Sequence, residues 1–175
     1  MHTGQYKSTK LYVITALFIA LIFIVTAYIL HIPMPATGGY IHLGDAFVYL
    51  AASMLPTPFA AAAGGFGEAL SDILTGSVIY ALPTFLIKST MTLCFCATGK
   101  NMITKRNILA AMIAGVICIA GYYLTEAALF RNFTTPLVEV PANLIQAAAS
   151  AAIYIIVGKV FDNLNIRKRM GAFNS

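Results

Sequence analysis

The chain is 175 residues long, 59% hydrophobic and 10% charged, with a mean hydropathy of +0.83, whereas a soluble domain carries about 25% charged residues. A bilayer core takes about 20 apolar residues per helix, so this length holds roughly six short-looped spans and leaves no room for an attached ATPase or kinase. The net charge of +5 comes from lysines and arginines at expected helix ends, which orients the chain in a membrane and is no nucleic-acid footprint.

The expected fold is all-α, a single transmembrane domain of residues 1–175 with six spans. Lys7 and Lys10 precede the first span, residues 11–30, and hold the N-terminus in the cytoplasm. That span is too long, and lacks the small-residue cleavage pattern, for a signal peptide. Residues 31–42, HIPMPATGGYIH, cannot form regular helix because two prolines and a Gly-Gly pair interrupt them. They make the first outer loop. A short second span, 43–55, turns at Pro56-Thr57-Pro58 into a third at 59–74, and a Gly76-Ser77 break leads to a fourth at 78–97. The loop from Gly99 to Asn107 carries Lys100, Lys105 and Arg106 and is expected inside. The fifth span is 108–130, the sixth 137–160, and Arg167, Lys168 and Arg169 then place the C-terminus in the cytoplasm as well.

Polar residues fall unevenly on this frame. Glu68 and Asp72 are four apart on one face of the third span with Gly64 and Gly76, and Tyr80, Thr84, Lys88 and Thr92 repeat that spacing on the fourth. Asp45 opens the second span, Tyr122 and Glu126 lie one turn apart near the outer end of the fifth, and Glu139, Asn143 and Gln146 run inward along the sixth. The inner halves hold few comparable groups. A channel needs hydrophilic lining throughout, so a polar outer half over an apolar inner half is a binding cup. Ionisable residues at such depth mark function by default. Asp45, Asp72, Arg131 and Glu139 also fit solvated interfacial positions, and Tyr40, Tyr80, Tyr122 and Tyr123 fit either interfacial anchors or a stacking platform. Glu68 and Lys88 fit an ion pair tying the third and fourth spans, with Glu126, Glu139 and Asn143 left to touch the ligand.

Gly64, Gly65 and Gly67, with Ala60 to Ala63, read as close helix contact and not as a phosphate loop. Ala16 and Ala20 form a small-xxx-small pair on the first span. No nucleophile-base set appears, since His31 and His42 sit in the Pro/Gly loop and His2 at the start, so no enzyme is expected. Cys94, Cys96 and Cys118 lie in apolar runs without metal-ligand spacing. Neither a cofactor nor a metal is expected.

Taken together, the Gly39-Tyr-Ile-His-Leu-Gly-Asp45 lead-in, the Gly/Glu/Asp-bearing third span ending Asp72-Ile-Leu-Thr-Gly76, Ile87-Lys88, and Ala16-Leu-Phe-Ile-Ala20 resemble the S components of energy-coupling factor (ECF) vitamin transporters. The resemblance covers nearly the whole chain. It implies a multi-pass protein of the prokaryotic plasma membrane that binds a vitamin in its outer half, gated by the first outer loop with Tyr40 and His42. It also implies docking, through Ala16 and Ala20, on a membrane coupling protein powered by two ABC-type ATPases. The first stretches look most like the subfamily associated with hydroxymethylpyrimidine and pyridoxine, often labelled riboflavin-type. The binding residues expected are Asp45, Tyr80, Thr84, Tyr122, Glu126, Glu139 and Asn143, with Glu68, Asp72 and Lys88 as buried polar groups. Five acids against Lys88 and Arg131 favour a neutral or protonatable, hydroxyl-bearing heterocycle over an anion. Riboflavin or a queuosine precursor are alternative substrates. An ion-coupled carrier relaying protons between Glu68 and Lys88 is an alternative class.

Overall fold

The computed structural model describes residues 2–35 and 37–169; the side chains of residues 2–8, Lys7 among them, and of Arg169 lie outside the described part. It is mostly helical, with one short hairpin among the described residues. The helices are α1 (His2–Tyr28), α2 (Asp45–Met54), α3 (Thr57–Thr75), α4 (Ala81–Thr92), α5 (Lys105–Phe130), α6 (Val140–Asn163) and the short α7 (Ile166–Arg169). Three stretches, Thr9–Tyr28, Lys105–Phe130 and Val140–Asn163, are long and apolar enough to cross a membrane on their own. At 10 and 12 residues, α2 and α4 reach only about 15–18 Å and fall short of a bilayer's roughly 30 Å.

Local chemistry sets the ends of these elements. Pro58 at the start of α3 needs no N–H partner, and Gly76 ends that helix at a φ of 96° that suits glycine. Thr104 caps α5 by accepting the Asn107 N–H at 3.2 Å. The stretch expected to run as one helix from 78 to 97 instead begins with a 3-10 turn at Val78–Tyr80 and closes at Thr92. Past that point the N–H groups of Leu93, Cys94 and Phe95 bond three residues back, and the Cys96 N–H is taken by the Asn107 side chain. A second 3-10 turn, Thr135–Val138, delays α6 because Pro136 and Pro141 crowd its start.

The helices α1, α3, α4, α5 and α6 pack in that order as a curved wall, and α2 stands inside it, touching α1, α3, α4 and α6. This explains its burial: all of α2 except Phe47 is buried. Glycines allow the closest approaches. A Cβ on Gly67 would meet the Ile22 side chain at 2.8 Å, so α1 and α3 can lie against each other only because residue 67 has none. The apolar core gathers at the end of the bundle away from the hairpin, where Tyr49 stacks on Phe95 with ring centroids 5.2 Å apart and Tyr154 meets both rings edge-on. That end is not wholly apolar. Ser53 and the Tyr154 hydroxyl lie 2.7 Å apart, and Asp162 accepts the Met102 and Ile103 N–H groups at 2.7 and 3.0 Å, pinning the α4–α5 loop against α6.

The proline- and glycine-rich segment before α2 is an antiparallel hairpin, β1 (Ile32–Met34) and β2 (Gly39–Ile41), with Pro33 opposite Tyr40. It is non-helical, as its prolines require. The strands went unforeseen because three residues a side carry no alternating pattern.

Candidate functional site

Beneath the hairpin lies a small cavity of about 20 Å³, lined by Gly39, Tyr40, His42, Asp72, Tyr80, Tyr122, Glu126, Glu139, Asn143 and Gln146. That is room for about one water. The lining comes from β2 and the loop after it, from α3, α5 and α6, and from both 3-10 turns with their flanks. The helical spacing had grouped Tyr80, Tyr122, Glu126, Glu139, Asn143 and Gln146; Tyr40 and His42 come from the hairpin and the loop after it.

The hairpin is tied to the site through hydroxyls. Tyr40 donates to Asp72 Oδ1 at 2.6 Å, Tyr80 donates to the Thr37 carbonyl at 2.9 Å, and the Thr37 hydroxyl donates to Glu139. His31 stacks on Tyr40 with centroids 4.0 Å apart. Burial, with the Asp72 charge adding, holds the Tyr40 phenol well above its ordinary pKa, so it stays a donor. Burial likewise pushes the His42 imidazole down to about 3, helped by the Lys88 charge, so the ring is neutral. Its Nδ1 accepts the Gly44 N–H at 3.1 Å, which leaves the proton on Nε2, facing Glu68 Oε2 at 3.4 Å.

One layer deeper is a charged network. Lys88 is fully buried and its ammonium lies 2.5 Å from Asp45 Oδ1, while Asp45 Oδ2 accepts Gln146 Nε2 at 2.9 Å. Gln146 in turn accepts the His42 N–H at 3.0 Å, so this network and the cavity share a wall. Lys88 also lies 5.3 Å from the centre of the Tyr122 ring. The expected Glu68–Lys88 pair is therefore corrected. Asp45 is no interfacial group but a buried counter-ion, because α2 stands inside the wall, against α3 and α4, and brings its one carboxylate to the lysine. Glu68 is fully buried beside His42, with neither oxygen hydrogen-bonded among the described residues. His42, Asp45 and Glu68 each bring a potential ligand atom within 4.8 Å of one another. Lys88 and Gln146 already occupy Asp45 there, and the Gly44 N–H occupies His42 Nδ1.

Of the expected binding residues, Tyr80, Tyr122, Glu126, Glu139 and Asn143 line the cavity, as do the hairpin residues Tyr40 and His42. Asp72, expected only as a buried polar group, lines it too. Asp45 sits one layer behind, and Thr84 stands behind the lining, its hydroxyl 2.9 Å from that of Tyr122. Glu139 is buried and not solvated, whereas Arg131 is exposed at the end of α5 with a left-handed φ of 50°. Thr37 and Ser71 were missed. Neither is charged, and only the hairpin fold brings Thr37 to Glu139. Gln146 was visible seven residues past Glu139 but was not assigned to binding. Ala16 and Ala20 lie exposed on α1 amid Tyr12, Val13, Leu17, Leu21 and Ile24, on the face turned from the bundle. A larger cavity of about 410 Å³, lined by Gly99, Lys100, Phe161, Asp162, Asn165, Arg167 and Lys168, opens at the other end. It shares no residue with the site under the hairpin.

Comparison with known proteins supplies the assignment. Residues 6–163 match the family model described as ECF-type riboflavin transporter, S component. The chain is also 31% identical over 148 residues to an "Uncharacterized protein in gap 3'region" of Pyrococcus woesei, an alignment that covers 84% of this chain and 95% of that protein. A small polar cavity under a hairpin, in a bundle of apolar helices, is what a membrane-embedded binding subunit requires, and the match spans the elements that build it. The chain belongs to this family and is an S component, the substrate-binding membrane subunit of an ECF-type vitamin transporter.

Proposed function

We propose that the protein captures a small heterocyclic vitamin or vitamin precursor, pyridoxine or hydroxymethylpyrimidine in first place, in the outer half of a prokaryotic plasma membrane. It delivers the ligand through a coupling protein and two ABC-type ATPases. In this reading all six helices α1 to α6 span the bilayer, both termini are cytoplasmic, the hairpin faces outward, and the Ala16/Ala20 face of α1 docks on the coupling protein. Riboflavin and a queuosine precursor remain the substrate alternatives.

The observation that carries the proposal is the cavity under the hairpin. Three tyrosines, three carboxylates, Asn143 and Gln146 converge on it from segments scattered along the chain, and among the described residues the core beneath the Asp45–Lys88 layer is mainly apolar. This is the arrangement of capture and release, not of a continuous conduit. At about 20 Å³ the cavity is far smaller than any of these ligands, so loading requires the hairpin to lift. The ion-coupled carrier is disfavoured because Lys88, the acceptor such a relay needs, is committed to Asp45. No chemistry on the ligand is expected.

Mass spectrometry of the protein purified gently from membranes tests the substrate class. The expected result is a retained heterocycle, chemically intact. A ligand returned chemically altered would contradict the binding-subunit reading.

A further inference from the structure

We propose that the ligand carries a protonated amine on a flat ring, seated among Asp72, Glu126 and Glu139 with the rings of Tyr40, Tyr80 and Tyr122 as walls. This rests on the binding-subunit reading above and, within its class of small heterocyclic vitamins and precursors, favours aminomethyl or similarly cationic members over the hydroxymethyl ones put first there.

The argument begins with charge. The chain has six acidic residues. Asp45 is paired with Lys88, and Asp162 lies at the far end holding the α4–α5 loop. The remaining four, Glu68, Asp72, Glu126 and Glu139, are all at least 96% buried, and none has a lysine or arginine partner among the described residues. Three of them line the cavity, and no lysine or arginine among the described residues lines it with them. Lys88 has its counter-ion one layer down, and Arg131 is exposed.

Hydrogen bonding makes the demand specific. One oxygen of Asp72 is held by Tyr40, and Glu139 is held by Thr37. Asp72 Oδ2 and Glu126 Oε2 are buried without any partner among the described residues. Glu126 and Glu139 line the same small cavity, where neighbouring carboxylates repel each other unless a proton or a cationic donor lies between them. An ammonium supplies three N–H donors and a full positive charge, whereas a hydroxyl supplies one donor and no charge. The aromatic walls agree. The hydroxyls of Tyr40, Tyr80 and Tyr122 are engaged with Asp72, the Thr37 carbonyl and Thr84, so the cavity is offered their rings. Tyrosine rings attract cations as well as stacking on flat ligands. Among the described residues an anionic ligand would meet three carboxylates, a neutral imidazole and no cationic side chain.

The test uses matched ligands on the full chain in nanodiscs: pyridoxamine against pyridoxine, and aminomethylpyrimidine against hydroxymethylpyrimidine. At least one amine is expected to bind about tenfold or more tightly than its alcohol, and Glu126→Gln or Glu139→Gln is expected to erase that preference. Asn143→Ala should weaken both members of a pair alike. Melting of each variant without ligand identifies any that fails to fold, and the other glutamate then carries the test. Equal or tighter binding of the alcohols, or no binding of either amine, overturns the proposal. The two readings fail separately: alcohol-selective binding with uptake that still needs the ATPases removes only the cationic ligand, whereas amine uptake without them removes the S-component mechanism.

Discussion

Lys88 shows at the scale of one residue what the sequence could reveal and what it could not. A lysine in the middle of an apolar helix must have a counter-ion, and that much follows from the cost of burying an ammonium. The choice of partner did not follow. Glu68 and Lys88 lie on consecutive helices and read as neighbours, but Asp45 reaches the ammonium first because α2 occupies the interior. The consequence for stability is direct. Asp45→Asn or Lys88→Met should each destabilise by about 3–5 kcal/mol, and the Asp45→Asn/Lys88→Met double variant should recover much of the loss, because breaking a buried pair leaves a lone charge. Glu68→Gln should cost far less, since Glu68 has no cationic partner to strand. Thermal melting in detergent would check all four. A Glu68→Gln variant as damaged as Lys88→Met would return Glu68 to the pair.

Among the elements, the hairpin and α1 carry the two roles proposed above, gate and docking face. Prolines and glycines marked residues 31–42 as non-helical, but the Thr37–Glu139 and Tyr40–Asp72 contacts that make the hairpin a cover depend on its folded register. Tyr40→Phe removes the 2.6 Å bond to Asp72 and keeps the ring. Losing one such bond to a charged group, worth about 1.5–3 kcal/mol, should speed ligand release by roughly ten- to a hundredfold, measured by chasing bound label. An unchanged release rate would mean the hairpin is not the gate. On α1, Ala16 and Ala20 were legible as a small-xxx-small pair, and the structure leaves both exposed on an apolar face. Ala16→Trp and Ala20→Trp should bind ligand normally and fail to co-purify with the coupling protein. Intact co-purification would move the docking surface elsewhere.

For the whole molecule, α1 to α6 and their order were readable from apolar runs and breakers, whereas the short α7, the two 3-10 turns and the packing order were not. Nothing in the local sequence of residues 45–54 says that this helix stands inside the others, although its almost unbroken apolar composition is what permits that position. The shortness of α2 and α4 leaves the six-span arrangement to experiment. Single cysteines at Asn101 and Asn132, in a background without Cys94, Cys96 and Cys118, should label from opposite sides of the membrane, with Asn132→Cys reacting from outside in intact cells. The central claim is that this chain binds but does not transport by itself, and uptake of labelled vitamin into proteoliposomes tests it most directly. The account predicts no uptake by the chain alone, with or without a proton gradient, and ATP-dependent uptake once the coupling protein and both ATPases are added. Uptake by the chain alone, driven by a proton gradient, would contradict it.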